Sequence, residues 1–262
     1  MITYERPGSA VTSSMRIRHE AGAPAHVTTA RIALAGRPLP RIEDSVRIGE
    51  AVRATAIRIA DSASGAAGVP SEISGHGASA EDNHRHAFYL PEDADGDGHI
   101  DHVLVHAPGG LSPAAVTALG YIRRLWIEDG VEWTVVFEGV WTEAPASGSV
   151  YGARADRWRS VTPYLHPWFA KRRFGVEEQI RKECAQRELP APDFIRILPS
   201  VPVRGRERRP VHFHRFRSKR GLRQPDVHGS MIEIAFARPV AGPLALGFGC
   251  HYGLGMFAPN VE

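Results

Sequence analysis

Thirteen histidines lie along this chain of 262 residues, and several stand at spacings suited to acid–base chemistry. An imidazole titrates near neutrality, so it can take or give a proton in water. His84 and His86 stand at i and i+2, and a strand over 84–90 puts both on one face. His102 and His106 repeat the even spacing on a strand over 100–107, and a hairpin can bring them towards the first pair. Four imidazoles on one face could also ligate a metal. Asn83 and Tyr89 are possible supporting donors, Tyr89 on the opposite face. His76, in the preceding loop, is a further candidate with only glycine and serine near it. Strand histidines also serve simply to satisfy turn carbonyls, and that reading stays open.

Two other segments point to the kind of substrate. Between 204 and 223, nine of twenty residues are basic: Arg204, Arg206, Arg208, Arg209, Arg215, Arg217, Lys219, Arg220 and Arg223. Glu207 is the one acid among them. Such a run is often a solvated face. Here it interleaves with Val211, Phe213 and Phe216, which predicts an ordered strand over 211–217 that presents its basic side to a polyanion. About twenty residues later come Gly247, Gly249, His251, Tyr252, Gly253 and Gly255. Glycines at this density can wrap a phosphate chain with backbone N–H groups, and His251 and Tyr252 could stack on a base. A glycine-rich end is also, on its own, a tight turn or a close strand crossing. The spacing is not that of a dinucleotide fold, and no early strand–helix unit with a downstream acid precedes it.

The C-terminal glycine segment resembles that of the RAMP superfamily of CRISPR RNA-processing and RNA-binding proteins. His84-Arg-His86-Ala-Phe-Tyr-Leu-Pro-Glu-Asp93-Ala-Asp95-Gly-Asp97-Gly-His-Ile-Asp101-His102 is similar to the central signature of one branch. That branch is the type I-U (I-G) protein in which a Cas-five domain is fused to a Cas-six domain. Residues 242–247 and 253–257 fit the same family, and the resemblance covers roughly 28–258. The family protein is usually longer, with the Cas-five-like half first; this chain resembles the later, Cas-six-like half. The resemblance implies a ferredoxin-like fold and a catalytic histidine in or near the helix-to-strand loop, which favours His84 and His86. It also implies CRISPR repeat RNA, or crRNA, as partner, with other surveillance-complex subunits beside it.

The elements that must position these residues follow from periodicity. Residues 27–34 read as a strand and 41–60 as a helix. The hairpin 84–107 follows, then a helix from Pro113 to about 127, capped by Ser112, and a strand over 131–140. That is β-α-β-β-α-β, the ferredoxin-like order. Strands over 157–162, 194–198, 211–217 and 230–237, with a helix over 176–188, suggest a second such unit that lacks one regular helix. The expected fold is therefore α+β: two ferredoxin-like (RRM-like) units in tandem, the second degenerate, with a C-terminal glycine-rich loop. The expected divisions are a flexible lead-in over 1–26, a first domain over 27–150 and a second over 151–262.

Composition narrows the setting. The formal charge is only +3, so the basic excess is a patch and not a coat. The two cysteines, Cys184 and Cys250, make neither a zinc pattern nor a disulfide framework, which favours a reducing cytoplasm. No leader-like apolar run opens the sequence and no stretch reaches membrane-spanning length. Residues 93–101 mimic the first nine positions of a calcium loop, but position twelve is Leu104 where a bidentate Glu belongs. A hairpin turn is the expectation there. With no paired-carboxylate cluster near the basic stripe, no metal or cofactor is expected. The function expected is metal-independent endoribonuclease cleavage of repeat RNA by 2′-hydroxyl attack, giving a 2′,3′-cyclic phosphate and a 5′-hydroxyl. The alternative is a non-catalytic crRNA-binding subunit.

Overall fold

Alternating apolar residues build two antiparallel sheets, described here from a computed structural model for residues 26–64, 68–75, 84–127, 130–143, 149–218 and 221–260. In the first sheet, β1 (Thr29–Ala35) buries Ala30, Ile32 and Leu34 and pairs with β3 (His102–His106) and β5 (Glu132–Trp141). β2 (Phe88–Glu92) forms a hairpin with β3, and the sheet order is β2-β3-β1-β5-β4. Helices α1 (Ser45–Ser64) and α3 (Pro113–Gly120) complete the β-α-β-β-α-β order, and a one-turn helix, α2 (Ser71–Ser74), leads towards β2. Without the appended β4 (Arg124–Trp126), this is the ferredoxin-like arrangement.

The second sheet, in order β11-β12-β6-β10-β7, repeats that arrangement. Its strands are β6 (Arg154–Ser160), β7 (Pro192–Leu198), β10 (Met231–Ala241), β11 (Leu244–Ala245) and β12 (Met256–Pro259), with α4 (Val176–Gln186) after β6. The second helix of the motif is replaced by the glycine-rich segment, whose one regular piece is a 3₁₀ turn at Cys250–Tyr252. The chain is thus two ferredoxin-like units in tandem, the second degenerate, as the periodicity predicted. Among the described residues, no helix is long and apolar enough to cross a membrane.

Several sequence expectations are corrected. The strand expected over 84–90 starts only at Phe88, and His84, Arg85 and His86 form a turn before it. The helix expected to reach about 127 stops at Gly120, because the chain turns there and re-enters the sheet as β4. No strand forms over 211–217. Instead β8 (Val201–Val203) and β9 (Arg206–Arg208) make a separate hairpin, and residues 213–218 run as an irregular strap over α1. Glu50 of α1 takes Ser218 N–H and, at 2.8 Å, Arg217 of that strap on its carboxylate. Glu43 of the entry turn takes Arg208 of β9 at 2.6 Å on its carboxylate and the strap's His214 N–H on its backbone carbonyl.

α1 carries two buried stripes. Ile48, Val52 and Ala56 join the first unit's core, while Val46, Gly49 and Arg53 face the glycine segment. A Cβ on Gly49 would lie 2.6 Å from Tyr252 O, and one on Gly255 would lie 1.7 Å from Leu246 O. Gly255 also has φ +56°. By contrast, Gly205 has φ +65° and nothing within 4 Å of an added Cβ. Gly255→Ala should cost about 4 kcal/mol or prevent folding, whereas Gly205→Ala should cost about 1 kcal/mol. Chemical denaturation of the two variants checks this; equal costs would contradict the packing role assigned to the loop.

Candidate active site

The turn at 84–86, the glycine segment and the end of α4 meet at one place. His251, in the 3₁₀ turn, stacks on His86 with ring centres 3.9 Å apart and on Phe88 at 3.8 Å. Two rings cannot both centre that close over one face, so His251 is sandwiched between them. His84 lies parallel to His251 at 5.7 Å. Such ring contacts contribute about 0.5–1.5 kcal/mol each. The His251 Nδ1–H donates to Ala87 O at 3.1 Å, which leaves the lone pair on Nε2. The two expected histidines are therefore assembled by a third, and not by strand alternation.

Beside the stack opens a cleft of about 500 Å³ between the units, lined by His84, Arg85, Phe88, His106, Arg187 and Leu244 among others. Arg187, one residue past α4, is held by three elements. It donates to Glu183, to Ala245 O and to Cys250 Sγ at 3.3 Å. Its Nε has no hydrogen-bond partner although buried, and the same is true of Nδ1 in His84 and in His86. Buried polar atoms are nearly always paired in proteins, so the orphan atoms of His84 and Arg187, both on the cleft wall, mark a place where a ligand supplies partners.

Electrostatics keep the imidazoles neutral. Burial, then the Arg187 charge, then His86 lower the pKa of His84 to about 4. Burial and Arg53 lower that of His86, and burial followed by His86 pushes that of His251 well below its ordinary value. The ligand atoms of His84, Cys250 and His251 lie within 4.8 Å of one another. The Arg187 guanidinium bonded to the sulfur places a fixed positive charge there, which is unsuited to a cation.

The other candidates are distributed differently. His102 lies opposite Glu92, not opposite the turn histidines, and its two nitrogens meet Asp101 at 2.8 Å and Glu138 at 3.1 Å. Burial works against its charge, but Asp101 and Glu138 outweigh that and raise its pKa. His106 lies opposite Phe88, contacts Thr29 Oγ1 at 3.1 Å and lines the cleft; burial lowers its pKa to about 4. The four-imidazole face does not form. Tyr89 points into the core and donates to Ile73 O at 3.1 Å, so it is not a supporting donor of the site. His76, Asn83, Lys219 and Arg220 lie outside the described residues.

The glycine segment turns its backbone inward. The N–H groups of Leu246, Phe248, Cys250, Tyr252, Leu254 and Gly255 bond to carbonyls of the protein, and Gly247 N–H bonds to both oxygens of Glu183 at 2.9 Å. Those groups are not free to cradle a phosphate; the glycines let backbones cross. Gly249 and Gly253 take φ +76° and +90° around the 3₁₀ turn. Of the basic stripe, Arg204, Arg206, Arg209 and Arg223 are exposed, whereas Arg208, Arg215 and Arg217 are half-buried. Arg217 also stacks on Tyr252 at 3.8 Å, tying the strap to the loop that carries His251. The acidic segment is the expected turn: Asp93, Asp95, Asp97 and Asp101 each accept a backbone N–H within it.

Sequence reasoning missed Arg187, Glu183 and Phe88. A signal for the first two exists: Ile180, Glu183, Cys184 and Arg187 fall at i, i+3, i+4 and i+7, so an acid and a base occupy positions of an apolar stripe.

No family model and no characterised protein sequence matches the chain. Solved structures match in backbone course, among them these two. One, described as CRISPR associated protein Cas6, has a TM-score of 0.44 and 11% identity, over 90% of this chain and 99% of that one. The other, a Cas6 product complex, has a TM-score of 0.42 and 13% identity, over 90% and 100%. Likeness at this level concerns the path of the backbone and says nothing about individual residues.

The lowered histidine pKa values have a stability consequence. Between about pH 4 and 6.5 the unfolded chain protonates His84 and His106 while the folded chain does not. Their contribution is full above pH 6.5 and is lost as pH falls through that window. His102, with a raised pKa, works in the opposite direction. Thermal stability should therefore fall between about pH 6.5 and 4, and His106→Gln should flatten the slope. An equal slope in that variant would contradict the assignment.

Proposed function

We propose that this chain is an endoribonuclease that cuts CRISPR repeat RNA at the cleft beside His84. The observation that carries the reading is the pair of buried, unpartnered atoms on the cleft wall, Nδ1 of His84 and Nε of Arg187. The repeat-RNA assignment rests on the signature at 84–102 and the C-terminal glycine segment. Binding would come from the exposed arginines of the stripe, with other subunits of a surveillance complex as further partners.

The chemistry follows from protonation states. A neutral His84 takes the proton of a ribose 2′-hydroxyl, and the 2′-oxygen forms a bond to the adjacent phosphorus. The bond from phosphorus to the 5′-oxygen breaks, leaving a 2′,3′-cyclic phosphate. The 5′-oxygen leaves as a hydroxyl, with a proton drawn from water in the open cleft. Developing charge on the phosphate is met by a fixed guanidinium in a place of low dielectric, where it acts strongly. His86 and His251 hold the turn that carries His84 and need not touch RNA.

Purified chain should cut labelled repeat RNA in EDTA. Cleavage that vanished in EDTA and returned with magnesium or manganese would overturn the mechanism. His84→Ala should lower the single-turnover rate about a hundred- to ten-thousand-fold while RNA affinity stays within a few-fold, and His102→Ala should cut normally. The profile of kcat/KM should rise with pH up to about 4, the free-enzyme value of His84, and be level above it. Tight RNA binding with no cleavage by the unaltered chain would instead establish the non-catalytic crRNA-binding alternative.

Replacing the exposed Arg204, Arg206 and Arg209 with Ala should weaken related and unrelated RNAs alike. For every phosphate that loses its arginine, the slope of log K against log salt should flatten by about 0.7. Weakening confined to the cognate repeat would make these residues base readers.

A further inference from the structure

Glu183 is a carboxylate at 2% exposure on the apolar face of α4, between Ile180 and Cys184. A charge in such a place carries a large desolvation cost and calls for a reason. Accepting one loop N–H is not enough, since a neutral amide would do that. The carboxylate takes Gly247 N–H on both oxygens and Arg187 on one. Arg187 is then tied to β11 through Ala245 O and to the 3₁₀ turn through Cys250 Sγ. Its guanidinium lies 5.6 Å from the Phe88 ring, on the wall of the cleft that also holds His84. The acid therefore fixes in one place both the cation of the cleft and the loop that carries His251.

We propose that Arg187 is the catalytic residue that stabilises the charged phosphorane, and that Glu183 is the positioning residue that aims it, which rests on the endoribonuclease reading above. The guanidinium is immobilised before substrate arrives, so no reorganisation is needed as negative charge grows on the phosphate oxygens. Glu183 touches neither RNA nor His84, and it acts through Arg187. The charged or titratable groups facing His84 are Arg187, His86, His251 and Cys250, with Arg85, His106 and Glu188 also on the cleft wall.

The test is a double-mutant cycle with Glu183→Gln and Arg187→Gln on the full chain, read by single-turnover cleavage of repeat RNA in EDTA. Histidine-labelled NMR titration of the RNA-free protein provides a second readout. Gln at 183 keeps an acceptor for Gly247 N–H. Arg187→Gln should slow cutting about a hundred- to a thousand-fold and raise the pKa of His84, because a neighbouring positive charge has gone. Glu183→Gln should slow cutting and shift His84 in the same upward direction. In the Arg187→Gln background, it should then add nothing to either effect. A rate loss of equal size in both backgrounds, or an unmoved His84 titration in Glu183→Gln, would overturn the positioning role. Should Glu183→Gln fail to fold, Glu183→Asp keeps the charge one methylene back; the same slowing and upward shift are expected, and wild-type behaviour would overturn the proposal. Failure here leaves cleavage by the unaltered chain and its loss in His84→Ala intact, so it is separable from failure of the endoribonuclease reading.

Discussion

The structure depends on a backbone crossing. Where a ferredoxin-like unit would carry its second helix, the chain instead passes between α1 and the second sheet as a glycine-rich segment. The crossing is close enough that Tyr252 O occupies the space of a Gly49 side chain on α1 and Leu165 O that of a Gly247 side chain. A helix has a diameter of about 10 Å and could not enter such a gap. Seven N–H groups of the segment, those of residues 246–248, 250, 252, 254 and 255, turn inward to carbonyls and to Glu183, because a buried N–H without an acceptor costs about as much as a lost hydrogen bond. Three consecutive residues of the segment then reach four partners. Cys250 meets Arg187, His251 meets His86 and Phe88, and Tyr252 meets Arg217.

That arrangement separates binding from chemistry. The end of β9 and the strap over 213–218 are fastened by Glu43, in the entry turn of α1, and by Glu50 of α1, so part of the basic stripe holds the fold together and part faces solvent. Removing one partner of a partly buried pair such as Arg217–Glu50 leaves the other charge without its counter-ion, which is costly. Around the cleft, by contrast, burial keeps the imidazoles in their basic form, helped by the Arg187 charge at His84 and His251 and by the Arg53 charge at His86. A neutral imidazole beside a fixed guanidinium is suited to removing a proton next to a phosphate, and not to holding a cation.

Much of this was legible in the residues. The period of 2 in β1 and β5, the apolar face of α1 and the Ser112–Pro113 start of α3 gave the first unit its order. The second unit's degeneracy followed from the one missing helical pattern. His84 and His86 were found by type and by resemblance, but the geometry expected for them was wrong. Even spacing signals a shared face only on a strand, and here the pair precedes the strand in a turn. Glycine content reports that backbones come close, not which backbone approaches, so the bonds of this segment to Glu183 and to neighbouring carbonyls were not foreseen. Glu183 and Arg187 went unseen because charges on a helix are assumed to face water. Only their i, i+4 spacing on the stripe of Ile180 and Cys184 betrays them. The basic run could be counted from sequence, yet which arginines are engaged by Glu43 and Glu50 depends on contacts some 165 residues apart in the chain.

The central claim is that a scissile phosphate sits between His84 and Arg187. The most direct measurement is a structure of the chain bound to repeat RNA with a 2′-deoxy nucleotide at the cleavage position, which blocks attack without altering the phosphate. The account predicts a non-bridging oxygen of the scissile phosphate within hydrogen-bond distance of Arg187 and the 2′ carbon facing the His84 ring. A scissile phosphate lodged outside the cleft, with neither residue in contact, would contradict it.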